Sequence, residues 1–163
     1  MQNTASELFK FQKLYLESLL SNVPEERLYD KQLKGYNSAG WILGHLCIEA
    51  EDVLDHLEIP YNKVDENWAH WFKNSSGHIT SLDGLPSKNK LMHIFNSRYT
   101  LLQTAYENLS PEDRIKNHPS KFLENHLSDL DAWFAHHITT HIAVHCGNIV
   151  VWKKIIGLKV NGY

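Results

Sequence analysis

Apolar residues recur every three to four positions in four stretches of this chain, and proline- and glycine-bearing connections separate the stretches. That period is the mark of helices with one face turned to a core. In the first stretch Thr4-Ala5-Ser6-Glu7 has the form of a capping box, with Thr4 as the cap and Glu7 reaching back. Leu8, Phe11, Tyr15 and Leu19 follow as its stripe, widened by Leu16 and Leu20, and Pro24 closes it. After a connection from Tyr29 to Tyr36, Asn37 or Ser38 is expected to cap a second helix running to about Leu57, before Pro60. Its stripe is Leu43, Leu46, Ala50, Val53 and Leu57, and Gly40 and Gly44, one turn apart, would let another helix come close.

Residues 58–86 break the helical period with Pro60, Gly77, Gly84 and Pro86, yet Tyr61, Trp68, Trp71 and Phe72 need burial. A crossover packed over one end of the bundle is predicted, with a short helical turn at Trp68 to Phe72 and a lid as one role for it. Ser87 caps a third helix that carries Leu91, Ile94, Phe95, Leu102, Ala105 and Leu109 and stops at Ser110-Pro111. Asn117-His118-Pro119-Ser120 reads as a loop, and His118 and His126 as surface residues. The fourth helix is predicted as one element from Ser128 or Asp129 to Gly157, with Lys153 and Lys154 suiting its C-terminal dipole. The expected fold is therefore all-α: a four-helix bundle with a long crossover between helices 2 and 3, forming one domain over residues 1–163.

Composition narrows the function classes. A net charge of −3 gives no electrostatic reason to expect a nucleic-acid partner. No apolar run reaches the ~18 residues that a membrane span needs. Glu7, Lys10, Lys13 and Glu17 interrupt what would be the apolar core of a signal peptide. With no export signal and only Cys47 and Cys146, a cytoplasmic chain with free thiols is expected.

The histidines supply the chemistry. His136, His137, His141 and His145 lie in one short stretch near the C-terminus, four of the chain's 11. At about 100° per residue a step of four turns a helix by only about 40°, so His137, His141 and His145 would climb one face, with His136 about 100° away. A third ligand from another element would complete a metal site, and His45, beside the second helix's stripe, is the best placed. Three histidines with an open position form a catalytic rather than a closed structural site, suited to Zn²⁺, Ni²⁺ or Fe²⁺. His137 then has a positioning or packing role rather than that of a necessary ligand. HExxH and Glu-x-x-His are absent, as are CxxC and CxxCH, which argues against zincin, ferritin-like di-iron, zinc-ribbon and c-type haem chemistry. Cys47 lies about 200° round the helix from His45 and Cys146 about 100° from His145, so both read as packing residues. Glu49, one turn beyond His45, could orient an imidazole, act as a general base, or be a solvated carboxylate.

Thr140-His141-Ile142-Ala143-Val144-His145-Cys146-Gly147-Asn148-Ile149 resembles the asparagine-His-x-x-x-His-arginine-Gly-Gln-Ile segment of the DinB-like metal-binding proteins, which are unrelated to the polymerase of that name. Gly40-Trp41-Ile42-Leu43-Gly44-His45-Leu46 is similar to their second-helix segment, and the resemblance spans nearly the whole chain. By that match the family's three metal-binding histidines fall on His45, His141 and His145. Cys146 stands where the family has arginine and Asn148 where it has glutamine, which leaves the ligands intact but alters neighbouring substrate contacts. The resemblance implies a bundle with a bound divalent metal, often dimeric. It also implies, for several members, S-transfer or isomerisation that depends on a low-molecular-weight thiol. The leading expectation is a metal-dependent thiol S-transferase acting on a small electrophile, with Glu49 as a candidate catalytic residue. A hydrolase using metal-bound water and a non-catalytic metal- or ligand-binding stress protein are the alternatives.

Overall fold

Serine and aspartate side chains start the helices close to where the sequence places them. The structure is a computed structural model that describes residues 4–30, 36–73, 79 and 81–161. Ser38 accepts a hydrogen bond from the Trp41 backbone N–H, Ser87 from Lys90, Ser110 from Asp113 and Asp129 from Ala132. Each satisfies a donor that a helix N-terminus leaves unpaired. The helices are α1 (Thr4–Ser21), α2 (Ala39–His56), α3 (Asn67–Phe72), α4 (Lys88–Glu107), α5 (Pro111–Arg114), α6 (Leu130–Ile138) and α7 (Thr140–Ile155), with a 3₁₀ turn at Glu25–Arg27 after α1. No strand occurs among the described residues. The middle of the Tyr29–Tyr36 connection, Gly77 and the residues around it lie outside the described residues.

The bundle consists of α1, α2, α4 and a fourth member made of α6 followed by α7. α2 packs against α4, α3 and α7, α1 against α6 and α7, and α4 against α6. Stacked Phe9 and Tyr99 rings, 5.7 Å apart, join α1 to α4. Leu16, Leu19, Ile42, Leu43, Leu46, Phe95, Leu102, Phe134, Ile142 and Ile149 are fully buried between the helices. Among the described residues no helix is long and apolar enough to cross a membrane.

Four expectations about the elements change. Thr4 is already helical rather than a cap, and Glu7 pairs with Lys10 at 2.7 Å instead of closing a capping box. The α1 stripe is rotated at its start: Phe9 is buried while Leu8 and Phe11 are each 49% exposed. The fourth helix is broken at Thr139, whose φ of −128° and ψ of −80° are not helical. The Thr139 hydroxyl donates to the Ala135 carbonyl at 2.6 Å as the chain changes direction. The C-terminal stop at Gly157 has a positive φ of 74°. The Leu158 N–H returns to the Lys153 carbonyl at 2.8 Å and the Gly157 N–H to Lys154 at 3.3 Å, the paired bonds of a glycine-terminated helix. Lys153 is not a solvated dipole partner: it is fully buried, and its Nζ donates to the Leu19 carbonyl at 2.6 Å and to Asn22, pinning α7 to α1.

The crossover is strapped down. Arg98 of α4 and Glu51 of α2 form a buried ion pair at 2.8 Å. Arg98 also donates to the Asn62 carbonyl and lies over the Tyr61 ring at 4.8 Å. Glu51 accepts from the Val64 N–H at 3.3 Å. With both charges paired and hydrogen-bonded, burial is tolerable, and the strap leads directly into α3, whose Trp68 and Phe72 are buried against α2.

Candidate metal centre

Two packed helices bring His45, His141 and His145 to one point. α2 carries His45 on its buried side, 1% exposed. α7 turns Ile142, Cys146, Ile149 and Trp152 into the core, which leaves His141 and His145 half-buried at the edge of that stripe, facing α2. Ring nitrogens of the three histidines, one from each, all lie within 4.8 Å of one another. The His141 and His145 Nε2 atoms are 3.1 Å apart. Two imidazoles on one tetrahedral ion with bonds of about 2.0–2.1 Å would have their nitrogens about 3.3 Å apart, so the pair is already close to that separation.

The His45 tautomer is fixed by its surroundings. Its Nδ1 lies 3.0 Å from the Phe72 carbonyl oxygen. A carbonyl only accepts, so Nδ1 carries the proton and the Nε2 lone pair is free for the centre. Trp41, one turn earlier on α2, stacks on the same ring with centroids 5.0 Å apart and planes 12° apart. Phe72 can come this close because position 44 has no side chain: a Cβ on Gly44 would lie 2.6 Å from the Phe72 ring. Gly44 therefore admits α3, while Gly40 accommodates Tyr29 of the connection after α1, not a helix.

Burial keeps the three imidazoles neutral. It lowers the pKa of His45, pushes His145 down to about 4, and pushes His141 down to about 2 with help from His145 and His45. Their lone pairs are thus available at neutral pH without proton release. The Nδ1 atoms of His141 and His145 are buried and have no hydrogen-bond partner among the described residues. In the Nε2–Nε2 contact one ring must donate and the other accept, so the latter has its proton on an unpartnered Nδ1. A cation accepting both Nε2 lone pairs removes the frustration at the convergent atoms. The donor set, three neutral nitrogens, matches a borderline divalent metal such as Zn²⁺, Ni²⁺ or Fe²⁺.

These shifts have a consequence for the metal-free protein. Histidines in the unfolded chain take up protons near pH 6.5, whereas folded His145 and His137 resist to about 4 and His141 to about 2. Below pH 6.5 the unfolded state binds more protons, so stability is lost as the pH falls from about 6.5 towards 4 and is level, as far as these groups go, above it. The urea midpoint should therefore fall across that window, with a shallower fall in His141→Leu. A midpoint that rises on acidification would contradict this assignment.

The remaining sequence candidates separate. Glu49 is near: its Oε1 is 3.9 Å from His45 Nδ1, on the proton-bearing side of the ring, and it is not part of the converging group. Burial, reinforced by the charge of Asp52, raises its pKa. His137 lies across the Thr139 break rather than one turn down a continuous helix. Its ring packs edge-on against Trp133, centroids 4.8 Å apart, and 5.9 Å from His141. His136 comes to 6.0 Å from the His141 ring but outside the converging group. His118 is not a free surface residue, since it stacks on Trp133 at 6.2 Å and bonds the Leu127 carbonyl at 3.2 Å. Cys47 and Cys146 are buried, and burial pushes the Cys146 thiol up to about 12, so neither is a ready thiolate. Sequence reasoning missed the Phe72 carbonyl, which no side-chain motif announces, and Trp41, which the one-turn spacing to His45 does announce.

Comparison with known proteins follows the same outline. The sequence model described as the DinB superfamily matches residues 9–148. No curated protein sequence matches the chain. Among solved structures, an uncharacterised protein from Clostridium difficile 630 is similar with a TM-score of 0.66 and 18% identity, over 96% of this chain and 98% of that one. A protein from Streptococcus pneumoniae is similar with a TM-score of 0.62 and 15% identity, over 93% of this chain and 90% of that one. At these identities the likeness is one of fold.

Proposed function

The chain belongs to the DinB superfamily, and on that premise we propose that His45, His141 and His145 hold a divalent metal for thiol S-transfer to a small electrophile. The observation that carries the proposal is the convergence of three neutral imidazole nitrogens within 4.8 Å, with no carboxylate among them. Three protein ligands leave a coordination position for an exogenous group. When bound there, the metal would act as a Lewis acid that favours the thiolate of a small thiol at neutral pH. The protein's own residues do the rest. The Phe72 carbonyl and Trp41 hold His45 in one orientation. α7 fixes the spacing of His141 and His145. Glu49, with its raised pKa and 3.9 Å from His45 Nδ1, is the candidate base for the proton that an incoming thiol gives up.

A second reading, hydrolysis with a metal-activated water, is favoured by the same Glu49, which is half-buried and forms no ion pair with a lysine or arginine among the described residues. The two are separated by assaying metal-loaded protein on an electrophile panel with and without a small thiol. S-transfer predicts thiol-dependent turnover that Glu49→Gln lowers about 10- to 100-fold and that His141→Ala abolishes. Thiol-independent turnover would favour hydrolysis, and turnover unchanged in His141→Ala would exclude both readings. No turnover with any electrophile, alongside metal uptake that raises thermal stability, would return the protein to a non-catalytic binding role. A cytoplasmic setting and a homodimer remain part of the same proposal, the second tested by sedimentation.

A further inference from the structure

A histidine that ligates a metal through one ring nitrogen donates its other N–H to a carboxylate, a backbone carbonyl or water, and that partner fixes the ring and strengthens the ligand. His45 has such a partner in the Phe72 carbonyl, 3.0 Å from its Nδ1. His141 and His145 do not. Their Nε2 atoms meet at 3.1 Å, so each ring that gives its Nε2 lone pair to a cation carries its proton on Nδ1. Both Nδ1 atoms are buried and have no hydrogen-bond partner among the described residues. A buried donor without an acceptor weakens the state that contains it, here the metal-bound one.

The two rings differ in what surrounds them. Among the described residues the ring contacts of His145 are with His45 and His141, at 4.9 and 4.6 Å, all within the triad. His141 has two further imidazoles beside it. The break at Thr139 leaves His136 and His137, in the last turn of α6, next to the first turn of α7. Their ring centroids lie 6.0 and 5.9 Å from that of His141. Two imidazoles joined by an N–H···N bond stand only slightly closer than this, so a small rotation of one ring closes the gap.

His137 is the better placed of the two. Trp133 packs edge-on against it at 4.8 Å and braces the ring. His137 also lines a cavity of about 350 Å³ between α2, α6 and the segment 119–122, together with Glu49 and Asp52, whereas His136 does not line it. A neutral imidazole accepts at one nitrogen only when its proton is on the other. A cavity with two carboxylates in its walls accommodates that N–H.

We propose that His137 is a positioning residue for the metal centre: one of its ring nitrogens accepts from the Nδ1–H of His141 when His141 ligates through Nε2, as the Phe72 carbonyl does for His45. This rests on the reading of the triad as a metal site, and the test keeps the two apart.

The full chain, purified without a histidine tag, is loaded with Zn²⁺, and affinity is measured by competition with a chelator. His137→Leu keeps apolar contact with Trp133 but has no acceptor; His137→Gln loses the ring but keeps an acceptor. His137→Leu should lower zinc affinity about 10-fold, and His137→Gln should stay within about 3-fold of the native sequence. A purely structural role predicts equal losses. In ¹H–¹⁵N spectra of the zinc-loaded native chain, the His141 Nδ1–H should resonate at the low field of a hydrogen-bonded imidazole. It should move upfield in His137→Leu while the His145 Nδ1–H stays in place. Where His137→Leu fails to fold by circular dichroism, the native spectrum and His137→Gln decide. Unchanged affinity in His137→Leu, equal losses in both variants, a loss in His136→Leu alone, or a His141 Nδ1–H without the low-field shift overturns the role of His137 and leaves the metal reading standing. No zinc uptake by the native chain overturns the metal reading and this proposal with it.

Discussion

His141→Ala is expected to lower the affinity for Zn²⁺ or Ni²⁺ about 100- to 1,000-fold and to leave the metal-free fold standing. The binding energy of a structural zinc site is on the order of 10–16 kcal/mol over four ligands, so one ligand accounts for roughly 3–4 kcal/mol. The same side chain does little in the absence of metal. It is half-buried, its Nδ1 has no partner among the described residues, and its Nε2 meets only His145. Its neutral imidazole therefore leaves no orphaned charge behind when removed, and the cost is that of a small cavity. The two effects separate in one measurement. Thermal unfolding with and without added Zn²⁺ should show a metal-dependent rise in Tm for the native sequence, a similar metal-free Tm for the variant, and a much reduced response to metal. Equal responses would mean that His141 is not a ligand.

Gly44→Ala should damage the site from a position that touches no metal. The added methyl would meet the Phe72 ring at 2.6 Å, and Phe72 is fully buried, so the ring and α3 must move. Overpacking of this kind costs about 1–3 kcal/mol, against which the better helix propensity of alanine returns about 1 kcal/mol. The functional loss is the larger effect. Moving Phe72 takes its carbonyl away from His45 Nδ1, and losing the group that orients a ligating histidine typically lowers metal affinity about 10- to 100-fold. Phe72→Leu combined with Gly44→Ala should recover part of the affinity, because the smaller side chain relieves the clash. Zinc affinity unchanged in Gly44→Ala would show that the crossover does not set the geometry of His45.

The helices were legible because their signals are local. Ser38, Ser87 and Asp129 each accept from a backbone N–H three residues on, as their side chains dictate, whereas Ser110, read as the stop of one helix, also caps the short α5. What the sequence left open depends on contacts distant along the chain. Leu8 and Phe11 fit a 3.6-residue stripe as well as Phe9 does, and the choice of Phe9 is made by Tyr99 on α4. The fourth helix reads as continuous because nothing between 136 and 141 is a proline or a glycine. The break at Thr139 involves a threonine hydroxyl bonded back to Ala135, an alternative that threonine offers at any helical position.

The site divides in the same way. The one-turn spacing of His141 and His145 and the position of His45 beside an apolar stripe are sequence properties, and α2 packed on α7 brings the three together. The placement of His137 could not be read, since a periodic count assumes the unbroken helix that Thr139 interrupts. The orientation of His45 depends on a backbone carbonyl 27 residues away, reached only because Gly44 lets α3 lie against α2. Close approach at a glycine was legible, but not the partner that would use it. The cavity lined by residues of α2, α6 and the segment 119–122 joins stretches of chain that no short motif relates.

The most direct test is X-ray absorption at the metal edge on protein purified without a histidine tag and reconstituted with Zn²⁺, together with His45→Ala. The expected result is about one zinc per chain with three imidazole nitrogens at about 2.0 Å and a lighter oxygen contribution, and a loss of stoichiometric metal in the variant. Absence of stoichiometric uptake, or an unchanged imidazole shell in His45→Ala, would contradict a metal centre built from His45, His141 and His145.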